Sequence, residues 1–397
     1  MYKEYQDIYD FIASIKAVNT HSHHYEDEKF QGFDLSRILE NSYVAWCGQK
    51  FDRGKESRNR YLQKVRYKHY FRALQKSFME IYDFKEELTC DNWDRYDTIV
   101  AQKYLDPDWH LGILKRYGNY EKIILDAYWQ PGSDNGHPDT FASTFRVDPL
   151  FFGYDRNALD HDGNNACVLY GKESSNIDEY LEFIYELIKS KIVSGSICLK
   201  NAIAYDRDVA YRTVKKEDAD KVFQKKNYTA KDIADFQDYL FDAICKIAAE
   251  LNVTIQCHTG MGCLNNTRAI NMLELIRANP ATKFSLMHAS FPWCGDILAY
   301  LDMFTNVYAD VAWLPLLSPT AAEYVINQLI EVGTSERIVW GCDTWTSEES
   351  YGARLAMNEV LARVLGSKIQ KGHFGKTDAL FMAQNIMHDN AKELFNI

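Results

Sequence analysis

The sequence predicts an α/β protein built as a single (β/α)8 barrel, or TIM barrel, with a large helical insertion after its first strand. Two observations support this fold class. Eight short apolar runs alternate with helical patterns along the chain, and eight βα units are the number that closes such a barrel. The first run is followed by histidines, whereas an open doubly wound sheet is expected to carry a glycine-rich turn there.

The predicted strands are short, and most of them end in polar or glycine-containing sequence. In chain order they cover residues 16–21, 121–126, 144–148, 194–200, 253–258, 283–288, 307–311 and 337–343. Most intervals between them are long enough for the crossover that joins two parallel strands. No linker rich in Pro, Gly or Ser divides the chain, so residues 1–397 are predicted to form one domain.

Helical patterns fill the intervals between the strands. Residues 27–116, between the first two strands, are mostly helical in pattern and are interpreted as an insertion. The longer helices that follow are predicted over 177–191, 230–251, 267–278, 347–365 and 377–395.

The composition excludes several classes of protein. With a net charge of −11, 46% hydrophobic and 14% aromatic residues, the 397-residue chain is typical of globular proteins and not of disordered ones. No run approaches the roughly 20 apolar residues that span a bilayer. Residues 1–17 predict an amphipathic helix rather than a signal peptide, and nine scattered cysteines do not make a disulfide framework. We therefore expect a cytoplasmic protein with no membrane partner.

Residues 50–76 form a basic segment, with ten Lys or Arg residues against two acidic ones. Because aromatic residues interleave the charges, a surface for nucleic acid or another anion is one interpretation. The other is a solvated helical face, and it is favoured because no nucleic-acid motif accompanies the charge. We expect a small-molecule substrate and no nucleic-acid partner. The basic helical insertion that contains this segment is predicted to form a lid or an oligomer contact. A homo-oligomer is therefore one of the alternatives.

Metal-ligating side chains stand where predicted strands end. His21 and His23 are two residues apart, so both point to the same face of the first strand. The carboxyl ends of barrel strands meet in one small volume, and imidazoles with a carboxylate are ligands for Zn²⁺ or a similar divalent ion. Four later strands end on Lys200, His258, His288 and Asp343. The histidines without such spacing are expected to be surface or capping residues: His69, His110, His137, His161, His373 and His388.

This ordered set resembles the amidohydrolase superfamily. Residues 18–23 are similar to the HxH signature of its first strand, and residues 256–262 and 284–289 resemble its fifth- and sixth-strand histidine segments. Residues 341–344 resemble its eighth-strand aspartate segment. The ending 385–395 is similar to the N-A-x-x-L-F ending of the amidohydrolase-related, or amidohydrolase-2, branch.

The resemblance implies two alternative metal centres. In the two-metal form, a carboxylated Lys200 bridges an ion on His21, His23 and Asp343 to a second ion on His258 and His288. In the one-metal form, the HxH pair, His258 and Asp343 hold the ion, and His288 acts as an acid or base. Lys200, together with Arg207, would then bind a substrate carboxylate. The two-metal form with Zn²⁺ is favoured.

The expected activity is that of a metal-dependent hydrolase acting on an amide, lactone or ester-like bond of a small polar substrate. Asp343 would be the general base and acid, and a second metal or His288 would polarise the carbonyl. The alternative is a mononuclear-metal decarboxylase or uronate-isomerase-like enzyme on the same scaffold. A remote alternative is a non-enzymatic binding protein that uses residues 50–76. Substrate contacts are expected from Tyr43, Trp46, Tyr205, Arg207, Trp313 and Trp345.

Overall fold

The computed structural model describes residues 4–225 and 227–397, and within them eight parallel strands stand side by side in chain order. Their bounds are β1 Ala17–Ser22, β2 Tyr120–Leu125, β3 Phe141–Arg146, β4 Cys198–Asn201, β5 Thr254–Cys257, β6 Phe284–Leu286, β7 Val307–Asp310 and β8 Ile338–Val339. Backbone hydrogen bonds from Thr20 N to Trp340 O (3.1 Å) and from Asp343 N to His21 O (2.8 Å) join β1 to the segment after β8. The predicted (β/α)8 barrel is confirmed.

Every strand differs from its predicted bounds by at least one residue, and β3, β4 and β8 differ most. β3 begins earlier than predicted because the small residues Ala142 and Ser143 pair with Ile124 and Leu125 of β2. β4 begins later, at Cys198, because the segment before it contains a turn in which Gly195 has a φ of 114°. β8 ends at Val339, so the chain leaves the strand before it reaches Asp343.

Helices surround the strands and also form the insertion. Helix α1 covers Tyr5–Ser14, and residues 1–3 of the predicted N-terminal helix lie outside the described residues. Between β1 and β2 the chain forms α2 Asp27–Phe30, α3 Leu35–Glu40, a 3-10 turn Tyr43–Cys47, α4 Lys55–Val65, α5 His69–Ile81, α6 Trp93–Lys103 and α7 Trp109–Arg116.

The later α-helices alternate with the remaining strands. They are α8 Ala166–Tyr170, α9 Ile177–Val193, α10 Lys216–Ala219, α11 Lys221–Gln224, α12 Ala230–Glu250, α13 Leu273–Ala278, α14 Gly295–Met303, α15 Leu314–Leu317, α16 Pro319–Val332, α17 Ser347–Gln370, α18 Lys376–Gln384 and α19 Asn390–Phe395. The predicted helix 267–278 begins with a 3-10 turn, and a π turn over Asn385–Asp389 separates α18 from α19. Across the described part of the chain, no helix has both the length and the apolar character that crossing a membrane requires.

The helices of the insertion bury an apolar cluster of their own. Phe78, Trp93 and Ile113 are almost inaccessible in it, and Tyr351 and Leu355 of α17 complete it. Since α17 is the helix that follows β8, the insertion packs beside the strand end that precedes Asp343.

The basic segment, residues 50–76, lies mainly on α4 and α5 of the insertion. Its apolar side chains, such as Tyr61 and Leu74, belong to the insertion's own cluster. Several of its cations form ion pairs: Lys55 with Asp91, Arg58 with Asp94, Arg60 with Glu56, Arg72 with Glu87 and Lys76 with Glu359. This is the arrangement expected of a solvated helical face.

Candidate metal centre and active site

Two histidines of β1 and the aspartate that follows β8 meet at the carboxyl end of the barrel. Oδ1 of Asp343 lies 3.4 Å from Nε2 of His21 and 3.2 Å from Nε2 of His23. One ligand atom from each of the three lies within 4.8 Å of the others, and all three residues are buried. Two imidazoles and one carboxylate leave a fourth position open, as catalytic zinc sites do.

The remaining ring nitrogens of the two histidines have carbonyl partners. Nδ1 of His23 lies 2.8 Å from the backbone oxygen of Asp126, and Nδ1 of His21 lies 3.1 Å from Oε1 of Gln256. Each Nδ1–H therefore donates a hydrogen bond, and each Nε2 keeps a lone pair toward Asp343. Such outer contacts orient the imidazoles of metal sites and set their tautomers.

Burial and charge favour the metal-binding protonation states. Burial holds the pKa of the His21 imidazole well below its ordinary value, so this ring is neutral. Burial raises the pKa of Asp343, but the close contact with His23 and the other neighbouring histidines outweigh it and hold the pKa well below its usual range. Because metal ligands must be deprotonated, the three residues fit a divalent cation.

His258 and His288 form a second pair of imidazoles. Nε2 of His258 contacts the backbone oxygen of Met261, and Nδ1 of His288 lies 3.2 Å from that of Ala312. If both rings donate to these carbonyls, Nδ1 of His258 and Nε2 of His288 face each other with lone pairs, 3.1 Å apart.

Two facing lone pairs require a cation between them, either a proton or a metal ion. Burial lowers the pKa of both imidazoles, that of His288 to about 4, so a proton is disfavoured. The pair therefore suits a second metal ion. Among the described residues, however, the group of three ligands that lie close to one another is His21, His23 and Asp343. His258 and His288 do not belong to it.

Lys200, at the end of β4, lies beside the first cluster. Its Nζ is 3.5 Å from Nε2 of His21 and 2.7 Å from Sδ of Met287. Burial lowers the pKa of this ammonium group, which favours the neutral amine that reacts with carbon dioxide.

The metal-ligating side chains open onto a cavity of about 220 Å³, with a smaller cavity of about 110 Å³ beside it. Tyr43, Tyr205, His258 and Asp343 line both. The structure thus brings together the predicted metal ligands and five of the six predicted substrate-binding residues, namely Tyr43, Trp46, Tyr205, Trp313 and Trp345.

Arg207 differs from the expectation that it binds substrate. Its guanidinium donates a 2.7 Å hydrogen bond to Asp238, whose side chain is fully buried, and lies 3.5 Å from Asp208. These carboxylates draw the side chain toward a separate groove formed by the loop after β4 and helix α12. The structure therefore places Arg207 in this groove, and the linings of the two cavities beside the metal ligands do not include it.

The insertion contributes Tyr43 to the site. Its hydroxyl donates a 2.6 Å hydrogen bond to Oδ2 of Asp343, and its backbone N–H donates one of 2.7 Å to Oε1 of Glu349 in α17. The other oxygen of the candidate metal ligand is therefore held by a residue outside the barrel strands.

Sequence reasoning missed Asp126 and Arg146. Oδ2 of Asp126 lies 3.8 Å from Nε2 of His21 and from Nδ1 of His23, and 3.3 Å from Nη2 of Arg146. Both side chains are buried, and Arg146 lines the larger cavity. The available signal was that Asp126 ends the second apolar run, as the metal-ligating residues end theirs. His161, expected at the surface, also lines this cavity, and His110 is buried in the insertion.

Comparisons with known proteins agree with this architecture. Residues 221–397 match the family model of the amidohydrolases. A curated relative, protein fluG of Emericella nidulans, is 26% identical over 152 residues, which are 37% of this chain and 18% of fluG. The chain therefore spans less than a fifth of that protein.

Solved structures share the fold along nearly the whole chain. A uronate isomerase from Thermotoga maritima is 16% identical with a TM-score of 0.80, and the match covers 100% of this chain and 98% of the isomerase. A glucuronate isomerase from Caulobacter crescentus is 13% identical with a TM-score of 0.79, covering 99% and 93%. A Lactobacillus casei protein described as a metal-dependent hydrolase is 15% identical with a TM-score of 0.73, covering 98% and 97%. The match over residues 221–397 shows that this part of the chain is similar to the amidohydrolases, and the solved structures share the barrel fold of the whole chain.

Proposed function

We propose that the protein is a metal-dependent hydrolase that cleaves an amide, lactone or ester-like bond of a small polar molecule. The observation that carries this proposal is the cluster of His21, His23 and Asp343, which opens onto a cavity of about 220 Å³ at the carboxyl end of the barrel. A cavity of this size suits a small substrate, and its polar and aromatic lining suits a polar one.

The three residues of the cluster would hold a divalent ion, most simply Zn²⁺. Such an ion makes hydroxide available near neutral pH and polarises a carbonyl oxygen. His258, His288 and a carboxylated Lys200 would hold a second one.

Asp343 is suited to take the proton of the attacking water. Its Oδ1 faces the two imidazoles, and the hydrogen bond from Tyr43 orients the second oxygen. A carboxylate held in this way accepts a proton from water as the new bond to the carbonyl carbon forms. The aromatic side chains of Trp46 and Trp345 border the cavity.

A mononuclear isomerase or decarboxylase is the second candidate. It is favoured by the single three-ligand cluster among the described residues. The shared fold with uronate isomerases suggests sugar acids as substrates for this alternative.

One preparation can separate the two candidates. We would measure zinc per chain in protein reconstituted with Zn²⁺ and ¹³C-bicarbonate, together with the ¹³C NMR signal of a carbamate. The same protein would receive lactones, esters and amides of small hydroxy acids, and D-glucuronate. The hydrolase is supported by three results: two zinc ions per chain, a carbamate signal that is lost in Lys200→Met, and ¹⁸O from labelled water in the product. One ion with conversion of D-glucuronate to an isomer, or release of carbon dioxide, would replace it with the alternative.

A further inference from the structure

The larger cavity contains a second titratable pair besides the candidate metal ligands. His161, in the loop between β3 and α8, lines this cavity, and its Nδ1 lies 2.8 Å from Oδ2 of Asp206. Asp206 follows the short 3-10 turn after β4, so two different loops bring the pair together. The ring of Tyr205 separates it from the metal ligands: its centroid is 4.9 Å from that of His161 and 4.5 Å from that of His258.

Asp206 determines which nitrogen of His161 can reach a substrate. Because Nδ1–H donates to Asp206, Nε2 is the ring nitrogen that can contact a substrate in the cavity. Considering the described residues alone, Nε2 makes no hydrogen bond, and Oδ2 of Asp162 lies 3.4 Å away. That carboxylate is also paired with the guanidinium of Arg146, so its charge is shared between two cations.

The surroundings of His161 favour its charged form. Burial lowers the pKa of the imidazole, but the hydrogen bond to Asp206 and the charges of Asp162 and Asp148 outweigh it and raise the pKa. Arg146, Asp160 and the phenol of Tyr205 are the other charged or titratable groups nearby. An imidazolium with a free Nε2–H beside a substrate cavity is a proton donor.

We propose that His161 is the general acid that protonates the leaving group, and that Asp206 is its positioning residue. This inference rests on the proposed hydrolase function. It divides between Asp343 and His161 the two proton transfers that the sequence assigned to Asp343 alone.

The proposed step balances in atoms and charge. Water gives a proton to Asp343 as its oxygen bonds to the carbonyl carbon, and the bond to the leaving atom breaks with its electron pair on that atom. The leaving atom takes the proton from Nε2 of His161. Afterwards Asp343 releases its proton to solvent and His161 takes one up. The leaving group therefore points to the Asp206 side of the cavity, and its conjugate acid is a weak acid such as an alcohol, a phenol or an amine.

A leaving-group comparison tests this role. Zinc-reconstituted wild type, His161→Gln, Asp206→Asn and the surface control His373→Gln would be assayed with phenyl acetate and with 4-nitrophenyl acetate, whose leaving group needs no proton. His161→Gln should lower kcat/KM for phenyl acetate by roughly 100-fold or more and leave 4-nitrophenyl acetate within about threefold of wild type. Equal losses with both esters, at unchanged zinc content, would show a merely structural role and overturn the inference.

An imidazole titration gives a readout that does not depend on turnover. In ¹⁵N NMR of the zinc protein, the imidazole signal of His161 is identified by its loss in His161→Gln. Its pKa should lie above the ordinary histidine range, and Asp206→Asn should lower that pKa. The alkaline limb of the phenyl acetate profile should move in the same direction. An unchanged titration in Asp206→Asn would overturn the positioning role. Wild type that hydrolyses neither these esters nor any lactone, ester or amide of the panel would overturn the proposed function together with the inference, whereas turnover without leaving-group dependence overturns the inference alone.

Discussion

The phenol hydroxyl of Tyr43 donates a 2.6 Å hydrogen bond to Oδ2 of Asp343, although the two residues are 300 positions apart in the chain. Tyr43 belongs to the insertion, and Asp343 follows the last barrel strand. Burial raises the pKa of the phenol well above its ordinary value, so it remains a donor at any working pH. The insertion thus supplies a group that orients a candidate catalytic carboxylate.

We expect Tyr43→Phe to lower kcat without removing the metal. A hydrogen bond to a charged group contributes about 1.5–3 kcal/mol, which corresponds to a loss of roughly 10- to 150-fold. Zinc content and kcat would be measured on the same protein. Tyr70→Phe is the matched control, because Tyr70 stacks on Tyr43 with ring centroids 5.1 Å apart. A normal kcat in Tyr43→Phe would show that this hydrogen bond does not assist the reaction.

Asp126 is expected to strengthen metal binding without being a direct ligand. Its oxygen is 3.8 Å from a ring nitrogen of each β1 histidine, and in the described structure neither carboxylate oxygen accepts a hydrogen bond. Removing the negative charge in Asp126→Asn should weaken zinc binding by roughly 10- to 100-fold, as loss of outer-sphere partners does. Competition with a chromophoric chelator measures this affinity.

The control for that experiment is Asp134→Asn, in the loop after β2, where Oδ1 of Asp134 accepts a 2.9 Å hydrogen bond from the backbone N–H of Gly136. If Asp126→Asn and Asp134→Asn bind zinc as tightly as wild type, Asp126 serves only to pair Arg146.

The sequence was sufficient to predict the barrel and the convergence of its strand-end residues. The reason is geometric. Side chains two residues apart in a strand point to the same face, and the carboxyl ends of parallel barrel strands meet at one end of the barrel. His21, His23 and Asp343 could therefore be grouped without knowing any other contact. The backbone at Asp343, with a φ of 60°, is a feature that no such rule predicts.

Contacts between distant loops could not be predicted in this way. His161 meets Asp206 across two loops, and its sequence neighbourhood has no periodic pattern. Arg207 illustrates the same difficulty, because the sequence near a strand end does not show that a buried carboxylate on another helix pairs with its guanidinium. Asp238 lies on α12, whose facing residues the sequence does not reveal.

Glu349 should make folding stability depend on pH. Its Oε1 accepts the Tyr43 N–H bond, Oε2 is without a hydrogen bond in the described structure, and burial raises the pKa of the carboxyl from 4.5 to about 8. The folded state then binds more protons than the unfolded state between these two values. Stability is therefore lost as pH rises, by at most about 1.4 kcal/mol per pH unit from this group.

The variant Glu349→Gln removes this titration. Its melting temperature should exceed that of wild type at about pH 9 and lose that advantage at about pH 5, because the wild-type carboxyl is neutral there. Differential scanning fluorimetry of metal-free protein gives both values, with the exposed Glu336→Gln as control. A difference between wild type and Glu349→Gln that is the same at both pH values would show that this carboxyl does not ionise on the expected scale.

Arg207→Ala should reduce stability and leave substrate binding intact. Its partner Asp238 is fully buried. When Arg207 is removed, Asp238 keeps its contacts with Arg212, 2.9 Å from Nε and 3.2 Å from the backbone N–H, and both are made by Oδ2. Leaving a buried carboxylate short of a partner costs on the order of 2–3 kcal/mol, so the melting temperature should fall. The double variant Arg207→Met with Asp238→Leu removes both charges and should recover part of that loss. KM for the substrate found in the panel should stay within about twofold of wild type, since Arg207 is outside the cavity of the metal ligands. A large rise in KM at unchanged melting temperature would return Arg207 to the substrate site that the sequence suggested.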